Sequence, residues 1–237
     1  MLAGATGLIG NALLVQLLRN PLVRKVTVLS RRSFDMDRTV SASEKAKLHM
    51  IVADLASMNE ALAQVEADVV FCTLGTTIKI AKTREAFRRV DYEYPFMLAE
   101  CAQHISASVF SVVTSMGADS GSRIFYSRVK GELQDALAGL RLPNIHVFQP
   151  SLLLGERHDV RPGEAFGAIA SKGLAFAMIG PLRKYRPIKG EDVARAMVKA
   201  AEEVLDRDAA SPLDGRQAAM QYFTSDQIAD LAVHTTG

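Results

Sequence analysis

Apolar and polar positions change period repeatedly along this chain. Short apolar runs, closed off by Gly, Pro, Ser or charged residues, alternate with longer stretches whose apolar residues recur every three or four positions. The short runs predict strands at Lys25–Ser30 (KVTVLS), Leu48–Ala53, Asp68–Thr73 (DVVFCT), Ser108–Thr114 (SVFSVVT), Ile145–Gln149 and Ala218–Phe223. The periodic stretches predict helices over residues 8–19, stopped by Asn20-Pro21, and over 57–65, 125–140, 166–178 and 191–205. In the last of these, Val193, Ala196, Met197, Ala200 and Val204 form one apolar stripe. Thr83 is expected to cap a helical piece through Val90, and Asp91 to cap a second that reaches His104, with Pro95 in its first turn. Thr224, followed three residues on by Gln227, marks a final helix start. Residues 33–46 are polar and read as an exposed connection.

Regular alternation of strand and helix implies a parallel sheet covered on both faces. The expected class is therefore α/β, a Rossmann-type doubly wound, mainly parallel sheet. Residues 1–237 form one domain in this reading, with 155–189 as a small C-terminal substrate lid. No repeat, low-complexity tract or long linker divides the chain. One feature is unusual: only Met1, Leu2 and Ala3 precede the first glycine, Gly4. A strand at the centre of such a sheet ordinarily has about five residues, so the expected biological start lies upstream of Met1.

Composition narrows the function classes. Almost half the residues are apolar, 28 basic side chains face 26 acidic ones, and the net charge is only +2. That balance lacks the basic excess of a nucleic-acid protein. The two cysteines, Cys72 and Cys101, and five scattered histidines do not form a metal-binding pattern. No apolar run has the length of a membrane span. The expectation is a cytosolic protein with no metal, membrane or nucleic-acid partner.

Residues 4–10 read GATGLIG, placing Gly4, Gly7 and Gly10 between a strand and a long helix. Missing side chains let the backbone approach a pyrophosphate, and the helix start attracts its charge. In this context Gly4, Ala5, Thr6, Gly7, Leu8, Ile9 and Gly10 become candidate dinucleotide-binding residues. Twenty residues after Gly10 stands Ser30, followed by Arg31 and Arg32. An NAD site ordinarily has a carboxylate there. A hydroxyl and two guanidiniums suit a 2′-phosphate, favouring NADP(H) over NAD(H).

Tyr126 and Lys130, four apart on one helix, share a face, and Ser115 ends the strand just ahead of it. Strand ends of a parallel sheet surround the crevice where ligands bind. A free phenol titrates near pH 10, and a neighbouring ammonium favours its ionised form. Such a phenol can exchange a proton with a carbonyl oxygen as hydride is transferred, while a hydroxyl steadies that oxygen.

GATGLIG, VVTSMGAD (112–119), YSRVKGE (126–132) and QPSLLLG (149–155) together resemble the short-chain dehydrogenase/reductase superfamily. FCTLGTT (71–77), with SMGAD and FYSRVKGE, resembles its atypical group containing the Tat-interactive protein and bacterial NAD(P)-binding relatives. The resemblance implies a Ser115, Tyr126 and Lys130 triad, with Lys130 also touching the nicotinamide ribose. It implies that Asp54 and Leu55 meet the adenine, and that Leu74, Gly75 and Thr76 pass the adenosine ribose. Pro150, Ser151 and Leu152 are implied to lie against the nicotinamide. Asp91 departs from the pattern, standing where many members have asparagine.

The implied activity is NADP(H)-dependent oxidation or reduction of a small carbonyl or alcohol. Arg157, His158, Arg161, Arg183, Lys184 and Arg186, interleaved with Phe166, Phe176 and Met178, would give the lid a mixed cationic and apolar lining. The competing reading is a non-catalytic NADP(H) sensor or protein-interaction module, which needs no proton donor. By resemblance, helices 92–104 and 126–140 are the faces of an expected homodimer.

Overall fold

The computed structural model describes residues 1–36, 40–53, 65–154, 180–210 and 219–233. Seven parallel strands form its main sheet: β1 (Leu2–Ala3), β2 (Val26–Ser30), β3 (Leu48–Val52), β4 (Val69–Cys72), β5 (Val109–Val113), β6 (Asn144–Gln149) and β9 (Ala219–Thr224). Their order is β3-β2-β1-β4-β5-β6-β9. A second small sheet pairs β7 (Leu153–Leu154) with β8 (Ile188–Lys189), also parallel. The helices are α1 (Leu8–Arg19), α2 (Ala42–Lys45), α3 (Ile78–Ala81), α4 (Arg84–Arg88), α5 (Tyr94–His104), α6 (Phe125–Ala138), α7 (Gly190–Ala210) and α8 (Ser225–Val233). This is the expected Rossmann-like α/β architecture.

Apolar burial explains both layers. Leu13, Leu14, Leu17 and Leu18 of α1 join Val193, Ala196, Met197 and Ala200 of α7 in one core beside Val28 and Phe71. On the opposite face, Leu98, Ala99 and Ala102 of α5 and Leu133 and Leu137 of α6 cover Val70, Phe110, Val112 and Val147. Central strands buried on both sides must be apolar throughout, which is why they appear as continuous runs in the sequence.

Three expectations change. The 33–46 connection contains α2, closed by a capping box in which the Glu44 amide donates to Ser41 Oγ (3.3 Å) and the Ser41 amide donates to Glu44 Oε2 (2.6 Å). Helix α7 continues to Ala210, where its added turn lets Arg207 Nη2 donate to Asn144 Oδ1 (3.0 Å). Asp91 caps no second helix: α4 runs through a π-helical turn, Arg89–Glu93, directly into α5, and Asp91 is buried within it. Most of the expected 57–65 helix and all of the 166–178 helix lie outside the described residues.

Strand β1 has only two residues. The Met1 nitrogen donates to the Val69 carbonyl (2.7 Å), extending the pairing of β1 with β4. At the far side of the sheet, His146 on β6 is 1 % exposed and meets the Phe223 ring edge-on at 5.4 Å. Its neighbour across the strand pair, Ser111, is equally enclosed. Burial, reinforced by Arg207, pushes the His146 pKa down to about 4.

The unfolded imidazole takes a proton near pH 6.5, whereas the native one resists it until about pH 4. The stability contributed by a neutral His146 is thus present above pH 6.5 and lost as pH falls towards 4. Urea unfolding across this interval is expected to lose about 3 kcal/mol from this group. His146→Leu should flatten that part of the profile; an unchanged slope would contradict the assignment.

Candidate nucleotide-binding and active site

The turn between β1 and α1 is shaped by crowding. Gly4 has φ of +90°, and a Cβ there would lie 2.7 Å from the Thr73 backbone. A Cβ on Gly10 would lie 2.1 Å from the Gly4 carbonyl oxygen. The Gly7 amide donates to Gly4 O (3.0 Å), and Thr73 Oγ1 donates to Ala3 O (3.0 Å), closing β1 against β4. Ala5, Ile9 and Gly10 are buried, Leu8 is half-buried, and Thr6 and Gly7 face solvent. Gly7 holds the N-cap of α1 without a side-chain cap. Amides in the first turn have no partner within the helix, which suits an anion. The cradle therefore fits a diphosphate.

At the end of β2, Ser30 Oγ donates to the Arg32 carbonyl (2.8 Å) and accepts from its amide (3.4 Å). Arg31 and Arg32 are exposed. Asp54 and Leu55 lie outside the described residues. After β4, Leu74 is half-buried, Gly75 is exposed, and the Thr76 amide donates to Asp91 Oδ2 (2.8 Å).

The β5 end is joined to its neighbours. Thr114 and Met116 donate their amides to the carbonyls of Phe148 (2.8 Å) and Pro150 (3.1 Å). Gln134 Nε2 of α6 donates to Thr114 Oγ1 (2.9 Å), while Gln149 Nε2 donates to Gln134 Oε1 (3.2 Å). Between Thr114 and Met116 lies Ser115, whose buried Oγ has no partner among the described residues. Helix α6 is pressed against the preceding loop: a Cβ on Gly131 would come 2.1 Å from the Ser120 nitrogen.

Tyr126 is 37 % exposed, and its ring packs beside Phe87 at 5.6 Å. Lys130 Nζ lies 5.4 Å from the Tyr126 ring centroid and 2.8 Å from Asp91 Oδ1. Lys130 is 4 % exposed and Asp91 2 %. Burial works against the Lys130 charge, but Asp91, helped by Tyr126, outweighs it and holds the ammonium above its ordinary pKa. Cys72 is enclosed on β4 nearby, and burial pushes its thiol up to about 12.

Pro150 is buried, Ser151 half-buried and Leu152 39 % exposed. The polar atoms of Ser151 are engaged internally. Its amide donates to Ser225 Oγ (2.7 Å), and its hydroxyl donates to the Arg186 carbonyl. Of the lid cations, Arg183 pairs with Asp230 at 2.6 Å and Lys184 stands over the Tyr185 ring. Arg157, His158, Arg161, Phe166, Phe176 and Met178 lie outside the described residues.

All described candidates follow the carboxyl ends of parallel strands or stand on α6 beside them. A cleft of about 670 Å³, lined by Leu22, Lys25 and Asp68, opens at the opposite, amino-terminal edge and takes no part in the site. Sequence reading took Asp91 as a helix cap and as a departure from an asparagine position, missing its pairing with Lys130, and it missed Gly131. Asp91 had a signal: with Phe87, Pro95 and Leu98 it occupies a buried helical stripe, an unusual position for a carboxylate. The crowding that requires Gly131 has no counterpart in periodicity.

Fold and cradle together define a pyridine-nucleotide-binding protein of oxidoreductase-like fold. The chain belongs to the NAD(P)H-binding family, which matches residues 4–141. Among its relatives, protein FMP52, mitochondrial, of Lodderomyces elongisporus is 30 % identical, the match covering 86 % of this chain and 87 % of the relative. Protein HTATIP2 of Rattus norvegicus is 35 % identical, over 68 % of this chain and 65 % of that protein. Among solved structures, MoeE5 in complex with UDP-glucose and NAD superposes with a TM-score of 0.60, at 17 % identity, over 95 % of this chain and 85 % of that one. The Bordetella bronchiseptica enzyme WbmH in complex with NAD+ gives a TM-score of 0.63, at 16 % identity, over 94 % and 74 %. The structural likenesses show the fold alone. Fungal relatives named as mitochondrial proteins overturn the cytosolic expectation. Composition and the lack of an apolar span do not distinguish one aqueous compartment from another.

Two of the three glycines, Gly10 and Gly7, separate by substitution. Gly10→Ala forces a methyl group into backbone and should cost about 1–3 kcal/mol, read as a lower Tm. Gly7→Ala meets only the Gly4 oxygen at 3.3 Å, so its Tm should stay near that of the parent. Nucleotide affinity in Gly7→Ala should nonetheless fall at least about tenfold, because the methyl group would occupy the diphosphate's approach. Unchanged affinity in a fluorescence titration would remove this turn from nucleotide binding.

Proposed function

We propose that this chain is an NADP(H)-dependent oxidoreductase of short-chain dehydrogenase/reductase type. Its substrate is a small carbonyl compound or the corresponding alcohol. The observation that carries this reading is the buried, unpartnered Ser115 hydroxyl on the same sheet edge as Tyr126, the enclosed Lys130 and the glycine turn. A hydroxyl shut away from water without a partner is costly, and a substrate oxygen would satisfy it.

Gly4–Gly10 would hold the diphosphate, with Leu74, Gly75 and Thr76 beside the adenosine ribose. Pro150, Ser151 and Leu152 would flank the nicotinamide, Ser151 by packing alone, since its amide and hydroxyl are engaged within the fold. The exposed Arg31 and Arg32, with Ser30, favour a 2′-phosphate, and no carboxylate stands at those positions. Bound nicotinamide supplies or accepts the hydride. In reduction, Tyr126 gives its phenolic proton to the carbonyl oxygen as the carbonyl carbon gains hydride, leaving an alcohol and the oxidised nucleotide. Oxidation reverses both transfers. Ser115 donates a hydrogen bond to the same oxygen, and Lys130 stabilises negative charge on the phenol oxygen as its proton leaves. The resemblance that supports this chemistry also favours a homodimer across α5 and α6.

Tyr126→Phe should lower kcat by at least about 100-fold while the NADPH Kd stays within roughly threefold, because the lost hydroxyl is assigned to chemistry rather than to binding. Turnover equal to the parent in a carbonyl screen would remove Tyr126 from the mechanism. Replacing both Arg31 and Arg32 by Ala should weaken NADPH binding about tenfold or more and affect NADH little. Equal losses for both nucleotides would contradict NADP preference.

A further inference from the structure

The most deeply enclosed charges of the site belong to Asp91 and Lys130, whose side chains are 0 % and 6 % exposed. Removing two ions from water costs several kcal/mol each unless they are paired and otherwise satisfied. Here the pairing joins separate parts of the fold. Asp91 sits on the π-helical turn, where the wider winding places its carboxylate in the core, and Lys130 comes from α6. One carboxylate oxygen lies 2.8 Å from Lys130 Nζ, and the other accepts the Thr76 amide of the loop after β4. Insertions of this kind in helices are frequently found at functional sites.

The surroundings leave Asp91 as the dominant counter-charge. Tyr126 faces Lys130 from its own helix and Cys72 from β4, whose thiol is held protonated. From α4, Arg88 pairs with Glu132, and Arg128 lies 3.8 Å from the same carboxylate.

Resting on the proposed reading of this site, we infer that Asp91 is a positioning residue: a charge clamp that keeps Lys130 protonated and in place, and joins it to the nucleotide-contacting loop through Thr76. An asparagine in this position would accept the Thr76 amide equally well, but would leave the ammonium without a counter-charge. Asp91 adds to the usual positioning of a loop a fixed charge state for the lysine. The alkaline limit of the reaction then belongs to groups other than Lys130.

The test compares the full-length parent with Asp91→Asn and Asp91→Ala, using protein labelled with 13C at lysine Cε. The Lys130 signal is identified by its loss in Lys130→Met. In the parent, this signal is expected to remain that of an ammonium up to at least about pH 10. In Asp91→Asn, the largest opposition to burial is gone, and the titration should move down by about two pH units. Its NADPH Kd should stay within about threefold of the parent, because the Thr76 bond is retained. Asp91→Ala loses that bond too and should bind NADPH about tenfold more weakly.

An Asp91→Asn signal that titrates like the parent's would overturn the charge role. Parent-like NADPH affinity in a folded Asp91→Ala protein would overturn the link to the loop. If Asp91→Ala does not fold, NADPH affinity of Asp91→Ser, which shortens the side chain but keeps it polar, decides the same point. The NMR reading needs no turnover, so an inactive parent would refute the proposed reaction while leaving the Asp91–Lys130 result to stand or fall separately.

Discussion

Backbone meets backbone where α1 leaves the sheet, and the arrangement of the site depends on that contact. The Gly4 carbonyl and the Gly10 Cα approach so closely that no side-chain carbon fits between them. Thr73 closes the same corner from β4. This brings the first turn of α1 down onto the strand ends rather than beside them. The same close packing is repeated where α7 begins, because a Cβ on Gly190 would lie 2.7 Å from the Leu8 side chain. Two helices are thereby seated on the β1 corner, and their leucine, valine and methionine faces form one core.

A second set of contacts gives the other half of the crevice its rigidity. Gln134 on α6 accepts from Gln149 and donates to Thr114, spanning two strand ends and a helix. Buried amides paired in this way favour a single arrangement, since any slip would leave polar atoms unsatisfied. Ser115 is the next residue after Thr114, so its position is set by a network that leaves its own hydroxyl unused. The Ser151–Ser225 bond does comparable work at β6, anchoring α8 to the same rim.

Much of this was legible in the order of residues. Buried parallel strands have to be apolar along their length, and β2, β4, β5 and β6 were visible for that reason to within a residue or two at their ends. Glycine spacing revealed the cradle because close approach permits no other residue at Gly4 or Gly10. The π-helical turn was not legible. Periodicity registers a helix and can show Asp91 on its buried stripe, but it shows neither the wider winding nor the lysine that meets the carboxylate there. Asp91 therefore looked like a helix cap, the commonest role for an aspartate at a helix boundary. Likewise, the spacing of Ser151 placed it at the crevice but could not show that its polar atoms were engaged with Ser225 and Arg186. Such bonds connect residues up to 74 positions apart.

The enclosed thiol on β4 has a chemical consequence. Nucleophilic attack by cysteine requires the thiolate, and a group pushed up to about 12 supplies almost none at neutral pH. Cys72 is also shielded from solvent. Electrophiles such as aldehydes or unsaturated ketones entering beside Lys130 would thus find no sulfur ready to form an adduct. In the folded chain Cys72 is therefore a poor target for alkylation.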